Sequence, residues 1–310
     1  MPFPWALPLR GDHRYGRLKL IIMTEAEFYK KSRIGIECLL CNRFCKIKNG
    51  DFGFCKVRKN IDGVLYSVNY GKIICQNIDP IEKKPIRNYL PRTMTYSIAS
   101  LGCNFKCLGC QNWSISQVTE SILEHNNSIK EVKPEDIIIL AQKYNCPSIS
   151  YTYTEPTVFA EFAIRCMKLA NENNIKNIWV SNGYMSDYCL EEILPLLDAI
   201  NIDLKFFDIK SYFQYCSSQI DPVLNNLVKI KRNNVHLEVA TLLIPGVNDS
   251  KNELTKIALF IKNQLGEDTP WHINTFYPAY KMKSVKKLFS KSAAEADFIG
   301  KEAGLLFVYS

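Results

Sequence analysis

Three cysteines, Cys103, Cys107 and Cys110, stand on one short stretch with the spacing Cys-x3-Cys-x2-Cys. Three thiolates on one loop can bind three irons of a four-iron cluster, and the fourth iron is then free to bind a small molecule, whereas clusters held by four cysteines usually only carry electrons. The stretch follows a β-prone run at residues 96–100, and α/β barrels place their active sites on loops after parallel strands. A zinc site or unrelated buried cysteines are the alternatives, and we favour the cluster.

A second group of four cysteines lies nearer the N-terminus: Cys38, Cys41, Cys45 and Cys55. Their close spacing, with turn-forming glycines between them, indicates a complete metal site that serves structure or electron relay. Zinc in four-thiolate geometry and a second iron–sulfur cluster suit this pattern equally, and the choice stays open. The remaining cysteines are interpreted as ordinary small apolar residues: Cys75, Cys146, Cys166, Cys189 and Cys216.

The composition suits one large domain with a smaller appendage. The chain has 310 residues, of which 47% are hydrophobic, and it contains 12 cysteines. In a chain without an export signal, twelve cysteines favour metal ligation over disulfides, and we expect a cytoplasmic location. No apolar run approaches the roughly 18 residues that cross a bilayer, so no membrane partner is expected. The proline-rich start does not resemble a signal peptide, and Met23 is a plausible alternative to Met1 as the first residue.

The formal net charge of +8 is moderate for this length. It suits an anionic partner such as nucleic acid, an acidic protein or a phosphorylated metabolite, and it also suits an ordinary basic cytosolic protein, which we favour. Nucleic acid is not favoured as the partner, because basic and aromatic residues interleave weakly and no helix-turn-helix, RNA-recognition or finger pattern is present.

The order of predicted elements divides the chain into three parts: an N-terminal extension at 1–34, partly disordered, a cysteine-rich metal-binding region at 35–92 and a barrel domain at 93–310. In the last part the predicted strands are residues 96–100, 148–153, 177–181, 199–204, 236–243 and 271–276, with 305–309 as a seventh. The predicted helices between them are residues 134–142, 158–171, 190–197, 223–232 and 251–264. Such alternation predicts an α/β fold with a parallel sheet and right-handed crossovers.

These features together resemble the radical S-adenosylmethionine (radical SAM) superfamily, whose hallmark is the same cysteine triplet after the first strand of a partial (β/α)6 barrel. Gly109 departs from that pattern, because the residue before the third cysteine is often aromatic in the family. The chain is most similar to the pyruvate formate-lyase activating enzyme group, and within it to the AmmeMemoRadiSam system radical SAM enzymes. The resemblance is carried by the segments CLLC (38–41), NYGK (69–72), DPIEKKP (79–85), GCNF (102–105), CQNW (110–113) and YTYTEPT (151–157).

The resemblance implies which residues contact SAM: Gly109, Gln111, Thr154, Glu155, Ser181, Asn182, Asp203 and Lys205. Glu155 would meet the methionine amino group, since charge-assisted hydrogen bonds are strong, and Thr154 would act through its backbone. Alternation along a strand places Asp203 and Lys205 on the same face, where they would reach the ligand. The alternatives are a helix cap for Glu155, an ordinary turn at 181–182 and a simple buried ion pair for Asp203 and Lys205.

The function implied by the resemblance is reductive cleavage of SAM at a [4Fe-4S] cluster to a 5′-deoxyadenosyl radical, which abstracts hydrogen from a substrate. Likeness to the activating enzymes suggests a protein glycyl residue as the donor, while a small molecule or RNA remains open. The partners would be the substrate and a one-electron reductant such as a ferredoxin or flavodoxin. The competing class is a non-enzymatic zinc-binding adaptor that contacts nucleic acid or protein; a pure electron carrier would leave the large barrel-like half without a purpose.

Overall fold

The computed structural model describes residues 23–119, 129–286 and 290–310. Residues 1–22 lie outside the described residues. They include most of the predicted extension and Met1, the first of the two candidate starts. From residue 24 the chain is already paired: two three-stranded antiparallel sheets form an N-terminal unit, in the orders β1-β6-β5 and β2-β3-β4. Their strands are β1 (Thr24–Glu25), β2 (Tyr29–Ser32), β3 (Gly35–Cys38), β4 (Lys46–Ile47), β5 (Arg58–Ile61) and β6 (Val64–Ser67).

A nine-stranded sheet forms the centre of the rest of the chain. Its strands are β7 (Lys72–Pro80), β8 (Met94–Ser100), β9 (Lys130–Glu131), β10 (Ser148–Tyr151), β11 (Lys176–Ser181), β12 (Ala199–Asp203), β13 (His236–Leu243), β14 (Trp271–Thr275) and β15 (Val308–Tyr309). They lie in the order β15-β14-β13-β12-β11-β10-β8-β7-β9. From β8 to β15 all neighbours are parallel, and β7 runs antiparallel to β8. The sheet is not closed, so the predicted partial barrel is confirmed.

Helices connect the parallel strands. They are α1 (Trp113–Ser116), α2 (Pro134–Lys143), α3 (Ala160–Glu172), α4 (Asp187–Ile193), α5 (Ile209–Cys216), α6 (Asp221–Arg232), α7 (Lys251–Phe260) and α8 (Ser290–Glu302). The predicted strands and helices are all found, with boundaries shifted by a few residues. The elements without a predicted counterpart include β7, α5 and α8. None of the helices in the described part of the chain has the length and apolar character that crossing a bilayer requires.

Side-chain caps fix where three helices begin after the strand ends. The side chain of Ser186 accepts a hydrogen bond from the backbone N–H of Cys189, Asp208 accepts one from Ser211, and Ser250 accepts one from Glu253. Each cap satisfies a backbone donor that the helix leaves unpaired, and losing one costs about 1 kcal/mol. The caps therefore set the length of the loops at the carboxyl edge of the sheet.

Residues 81–90 lie against the face of the sheet opposite the helices. Ile178 and Ala199, on neighbouring strands, pack against Ile81 and Ile86. On the same face the side-chain amide of Asn201 donates a hydrogen bond of 2.7 Å to the carbonyl of Pro85. This segment therefore fills the amino-terminal end of the barrel interior and leaves the carboxyl end for a site.

The carboxylate of Glu238 anchors this segment. It accepts hydrogen bonds from the backbone N–H groups of Arg87 and Asn88 at 3.0 and 2.8 Å, and it contacts the Nε2 atoms of His236 and His272 at 2.8 and 2.5 Å. Burial raises the pKa of Glu238, but the two histidines and the two N–H groups lower it more, to about 2. The charged form is therefore the one that holds the segment in place.

We expect Glu238→Gln to lower the free energy of unfolding by about 3 kcal/mol at pH 7, because two histidines and two backbone donors lose a charged acceptor. Because the folded-state pKa is depressed, this stabilisation is complete above the unfolded-state value near 4.5 and is lost as the pH falls towards about 2. Chemical denaturation of both proteins between pH 7 and 2.5 should show their difference shrinking in that window. A difference that is independent of pH would contradict the assignment.

Candidate active site

The cysteine triplet lies on the loop between β8 and α1, at the carboxyl edge of the parallel strands. The backbone N–H of Phe105 points at the Sγ of Cys103 at 3.3 Å, and the hydroxyl of Ser116 lies 3.3 Å from the Sγ of Cys110. At Gly102 φ is +99°, and an added Cβ would lie 2.8 Å from a methyl of Val57. Glycine is therefore required where the loop leaves the strand and presses against the N-terminal unit.

The three thiols differ in their surroundings. Burial raises the pKa of Cys103 and Cys110. The pKa of Cys107 is lowered, first by a hydrogen bond from the thiol of Cys216 and then by the nearby ammonium of Lys205. Since metals bind thiolates, Cys107 is the sulfur best prepared for ligation, and the donors aimed at the other two sulfurs would favour the same charge.

The donor set fits an iron–sulfur cluster. It consists of three thiols on one loop, each next to a hydrogen-bond donor. Within residues 23–119, 129–286 and 290–310, no three His, Cys, Asp or Glu side chains are grouped closely enough to hold a single metal ion.

Cys216, at the end of α5, is a neighbour of the triplet that the sequence did not reveal. The backbone N–H of Lys106 donates to the carbonyl of Cys216 at 3.1 Å, and that of Leu108 donates to the carbonyl of Tyr215 at 2.9 Å. These bonds hold the end of α5 along the cysteine loop and bring the Cys216 thiol to Cys107. The interpretation of Cys216 as an ordinary small apolar residue is therefore incomplete. Its contact with Cys107 joins positions far apart in the sequence, so no local pattern reveals it.

Packing explains the departure at Gly109. An added Cβ there would lie 2.9 Å from a ring carbon of Phe276 and 3.2 Å from the sulfur of Met282. Phe276 is fully buried, so an aromatic ring already occupies the space beside residue 109. Gln111, the other predicted neighbour of Cys110, has an exposed side chain.

Glu155 joins the ends of β10 and β11. Its carboxylate accepts hydrogen bonds from the backbone N–H and hydroxyl of Thr157 at 3.0 and 2.5 Å, from the hydroxyl of Ser181 at 2.8 Å and from the backbone N–H of Asn182 at 2.8 Å. Only 2% of Glu155 is exposed. Burial raises its pKa, although these four donors oppose that shift. Glu155 therefore caps the turn that follows it, as one alternative predicted, and it also connects the two segments that are predicted to bind SAM.

Asn182 links this strand end to the cysteine loop. Its side-chain amide donates to the Oδ1 of Asn104 at 2.7 Å and lies 3.9 Å from the Sγ of Cys103. Since Glu155 binds the backbone of Asn182, the predicted segments 154–155 and 181–182 and the triplet form one connected group.

Thr154 and Tyr153 form the turn after β10. The hydroxyl of Thr154 donates to the carbonyl of Ser100 at 2.7 Å, so this turn is tied to the strand that leads into the cysteine loop. Tyr153 has φ of +64°, an uncommon conformation for a residue with a side chain. Its phenol donates to the carboxylate of Asp79, and the Nζ of Lys84 lies 4.2 Å from the centre of its ring. The DPIEKKP segment (79–85) therefore supports this turn through the contacts of Asp79 and Lys84 with Tyr153.

Asp203 and Lys205 lie at the end of β12 and form an ion pair of 2.8 Å. Their side chains are 36% and 23% exposed, so a ligand can still reach both. Burial lowers the pKa of Lys205, but Asp203 and the sulfurs of Cys107 and Cys216 raise it well above its usual value. The ion pair therefore lies beside the triplet, next to Cys107.

The four N-terminal cysteines surround one small cavity. Cys38, Cys41, Cys45 and Cys55 line it together with Arg58. Arg58 is 1% exposed, and its Nε is a buried donor without an acceptor in the described residues. A buried donor left unpaired costs about 1–3 kcal/mol, so a negatively charged occupant would remove that cost.

Comparison with known proteins identifies the family. The model of the radical SAM superfamily matches residues 97–258, just over half of the chain, and this span contains the triplet and all the predicted SAM-binding residues. The chain belongs to the radical SAM superfamily. It is therefore a radical SAM enzyme, and the family implies a [4Fe-4S] cluster and SAM as cofactors. The predicted superfamily is confirmed.

The relatives include proteins of known and unknown role. An uncharacterized protein of Methanocaldococcus jannaschii is 42% identical over 288 residues, which are 93% of this chain and 84% of that protein. The pyruvate formate-lyase-activating enzyme of Staphylococcus aureus is 22% identical over 179 residues, 55% of this chain and 70% of that enzyme. The predicted likeness to activating enzymes is thus confirmed, while the nearer relative carries no information on substrate.

A solved structure supports the fold. A radical SAM methyltransferase from Sphaerobacter thermophilus has a TM-score of 0.53 and 12% sequence identity, covering 71% of this chain and 66% of that one. At this identity the likeness concerns the fold alone.

Proposed function

We propose that this radical SAM enzyme binds its [4Fe-4S] cluster through Cys103, Cys107 and Cys110 and activates a protein substrate by removing a hydrogen atom from a glycyl residue. The observation that carries the cluster assignment is the triplet itself, three thiols on the loop after β8 with donors aimed at their sulfurs. When bound and reduced, the cluster supplies the electron that splits SAM into methionine and a 5′-deoxyadenosyl radical.

The chain's own residues would bind and orient SAM. We assign contacts with SAM to Asn182 beside Cys103 and to the ion pair of Asp203 and Lys205 beside Cys107, because a zwitterionic amino acid group needs both an anion and a cation. Thr154 and Glu155 would contribute the turn between β10 and the following helix.

Glu155 already accepts four hydrogen bonds, so its part is to fix the turn and the backbone of Asn182. Gly109 and Gln111, on either side of Cys110, would lie along the ligand on the loop side. The rings of Phe276 and its neighbours would keep water away from the reacting centre, which prevents side reactions of a radical.

We expect Lys205→Met to raise the KM for SAM about tenfold, because a charge-assisted hydrogen bond contributes roughly 1.5–3 kcal/mol. The measurement is 5′-deoxyadenosine formation with dithionite over a range of SAM concentrations. Lys176→Met is the matched control, since Lys176 forms an ion pair of the same kind with Asp198 at 2.9 Å but is 48% exposed at the far end of β11. An equal KM for SAM in both variants would show that Lys205 does not contact SAM.

The glycyl substrate is supported by the activating enzyme among the relatives. Its test uses isotope transfer: proteins from cells of the source organism grown on 2,2-dideuterated glycine are separated from small molecules and given to the reduced enzyme with SAM. Deuterium in 5′-deoxyadenosine from this fraction, and none from proteins labelled with deuterated alanine, is the expected result. Deuterium that comes only from the small-molecule fraction would contradict a protein substrate.

A second metal centre is proposed at Cys38, Cys41, Cys45 and Cys55. Support comes from the shared cavity and from the unpaired donor of Arg58, which suits a centre with negative charge. A one-electron reductant such as a ferredoxin or flavodoxin is the proposed partner, and a cytoplasmic location is proposed with it. The zinc adaptor is not favoured, because the chain is a radical SAM enzyme.

A further inference from the structure

Two cations lie at the ring of Phe54, a residue that lines the cavity of the N-terminal cysteines. The guanidinium carbon of Arg43 lies 3.7 Å from the ring centre, and the Nζ of Lys106 lies 5.2 Å from it. Two cations therefore lie close to one ring and to each other. Such crowding of like charge costs free energy unless an anion is bound there.

This cluster lies where the two cysteine groups meet. The backbone N–H of Phe54 is 3.5 Å from the Sγ of Cys45, and the Nε of Arg43 donates to the carbonyl of Asn104 at 2.7 Å. Asn104, the residue after Cys103, also lines the cavity of the four N-terminal cysteines. A Cβ placed on Gly102 would be 3.0 Å from the carbonyl oxygen of Cys55. The segments that carry the two cysteine groups are therefore in direct contact.

The surface around Cys45 is basic and partly apolar. Cys45 is the one thiol of the four that is not buried. Lys46, Lys48 and Lys56 are exposed beside this cavity, and none of them is ion-paired within the described ranges. Phe44 exposes 38% of its surface in the same turn. Residues 23–72 contain ten Lys and Arg but five Asp and Glu, so the excess positive charge is a property of this unit.

We propose that this surface is the docking site of an acidic one-electron carrier protein. We call it the basic face and define it as Phe44, Lys46, Lys48 and Lys56. Electrons would pass from the carrier to a redox-active iron–sulfur centre held by Cys38, Cys41, Cys45 and Cys55, and from there to the centre on the triplet loop. The inference rests on the proposed function, in which the triplet centre must be reduced. With flavodoxin as the carrier, its anionic hydroquinone loses one electron to become the neutral semiquinone, and no proton is transferred. Zinc cannot serve in this role, because it has no redox chemistry.

The docking site is tested with the triple variant Lys46→Glu, Lys48→Glu and Lys56→Glu in the reconstituted full chain. Its matched control is Lys168→Glu, Lys251→Glu and Lys256→Glu, which changes the same charge on exposed positions of α3 and α7. Two quantities are measured: the Kd for flavodoxin by titration at several salt concentrations, and the rate of 5′-deoxyadenosine formation with reduced flavodoxin and, separately, with dithionite.

We expect the basic-face variant to bind flavodoxin at least tenfold more weakly, with a flatter salt dependence, since surface charges steer and hold acidic partners. Its flavodoxin-supported rate should fall at least tenfold while its dithionite-supported rate stays within twofold of the wild type, and the control should match the wild type in all three. Equal binding of flavodoxin by the basic-face variant and the control would overturn the docking site.

The relay is tested by metal content and spectroscopy. A variant with Cys103, Cys107 and Cys110 all replaced by alanine should keep about four irons per chain and an electron paramagnetic resonance signal after reduction. Zinc in place of that iron would overturn the relay. If the wild type forms no 5′-deoxyadenosine even with dithionite, the proposed function fails, whereas the flavodoxin Kd still tests the docking site on its own.

Discussion

Replacing Cys107 by serine is expected to abolish 5′-deoxyadenosine formation while the chain stays folded. Cys107 is the thiol whose pKa is lowered, by the hydrogen bond with Cys216 and by Lys205, so its loss removes the sulfur best prepared to bind iron. The side chain is only half-buried at the rim of the sheet, so little core packing is lost. The measurement combines dithionite-driven turnover, iron content and circular dichroism.

The control for this variant is Cys166→Ala, a change at a fully buried cysteine of α3 that contributes only to packing. It should lower stability slightly and leave iron content and turnover per folded chain unchanged. Turnover of Cys107→Ser equal to that of the control would exclude Cys107 as a ligand.

Arg58→Met is expected to lower the free energy of unfolding by about 3–5 kcal/mol. Arg58 forms two hydrogen bonds with the carboxylate of Glu161, at 3.0 and 2.7 Å, and both side chains are 1% exposed. Burial raises the pKa of Glu161, and Arg58 lowers it more, so removing the guanidinium leaves a buried negative charge without an opposite charge beside it. Thermal or chemical denaturation of the metal-free chains measures this loss.

The double variant Arg58→Met with Glu161→Leu separates the ion pair from the metal site. It should recover most of the lost stability, because both charges are gone. It should still bind less metal at the N-terminal cysteines than the wild type, since the positive charge that opposes their thiolates is absent. Recovery of both stability and metal content would show that Arg58 serves the fold alone.

The sequence predicted the parallel part of the fold because its signals are local. All four residues of β10 are buried, as expected for a strand in a parallel sheet that is covered on both faces. Strand β7 was missed, because polar residues such as Asn77 and Asp79 break its apolar pattern.

The candidate site was predictable where it depends on spacing along the chain and not where it depends on folding. The triplet and the pair of Asp203 and Lys205 were found from spacing and strand alternation. The contacts of Cys216 with Cys107, of Phe276 with Gly109 and of Arg58 with the N-terminal cysteines join distant segments. No local pattern carries such contacts, so only the folded chain reveals them.

The most direct test of the central claim uses the wild-type chain, purified and reconstituted without oxygen. Iron and sulfide are counted per chain, and 5′-deoxyadenosine is assayed after dithionite and SAM are added. We predict product formation with about eight irons per chain, four at each cysteine group. About four irons with product would keep the radical SAM chemistry and contradict the relay. A chain that holds only zinc and forms no 5′-deoxyadenosine would contradict the whole account.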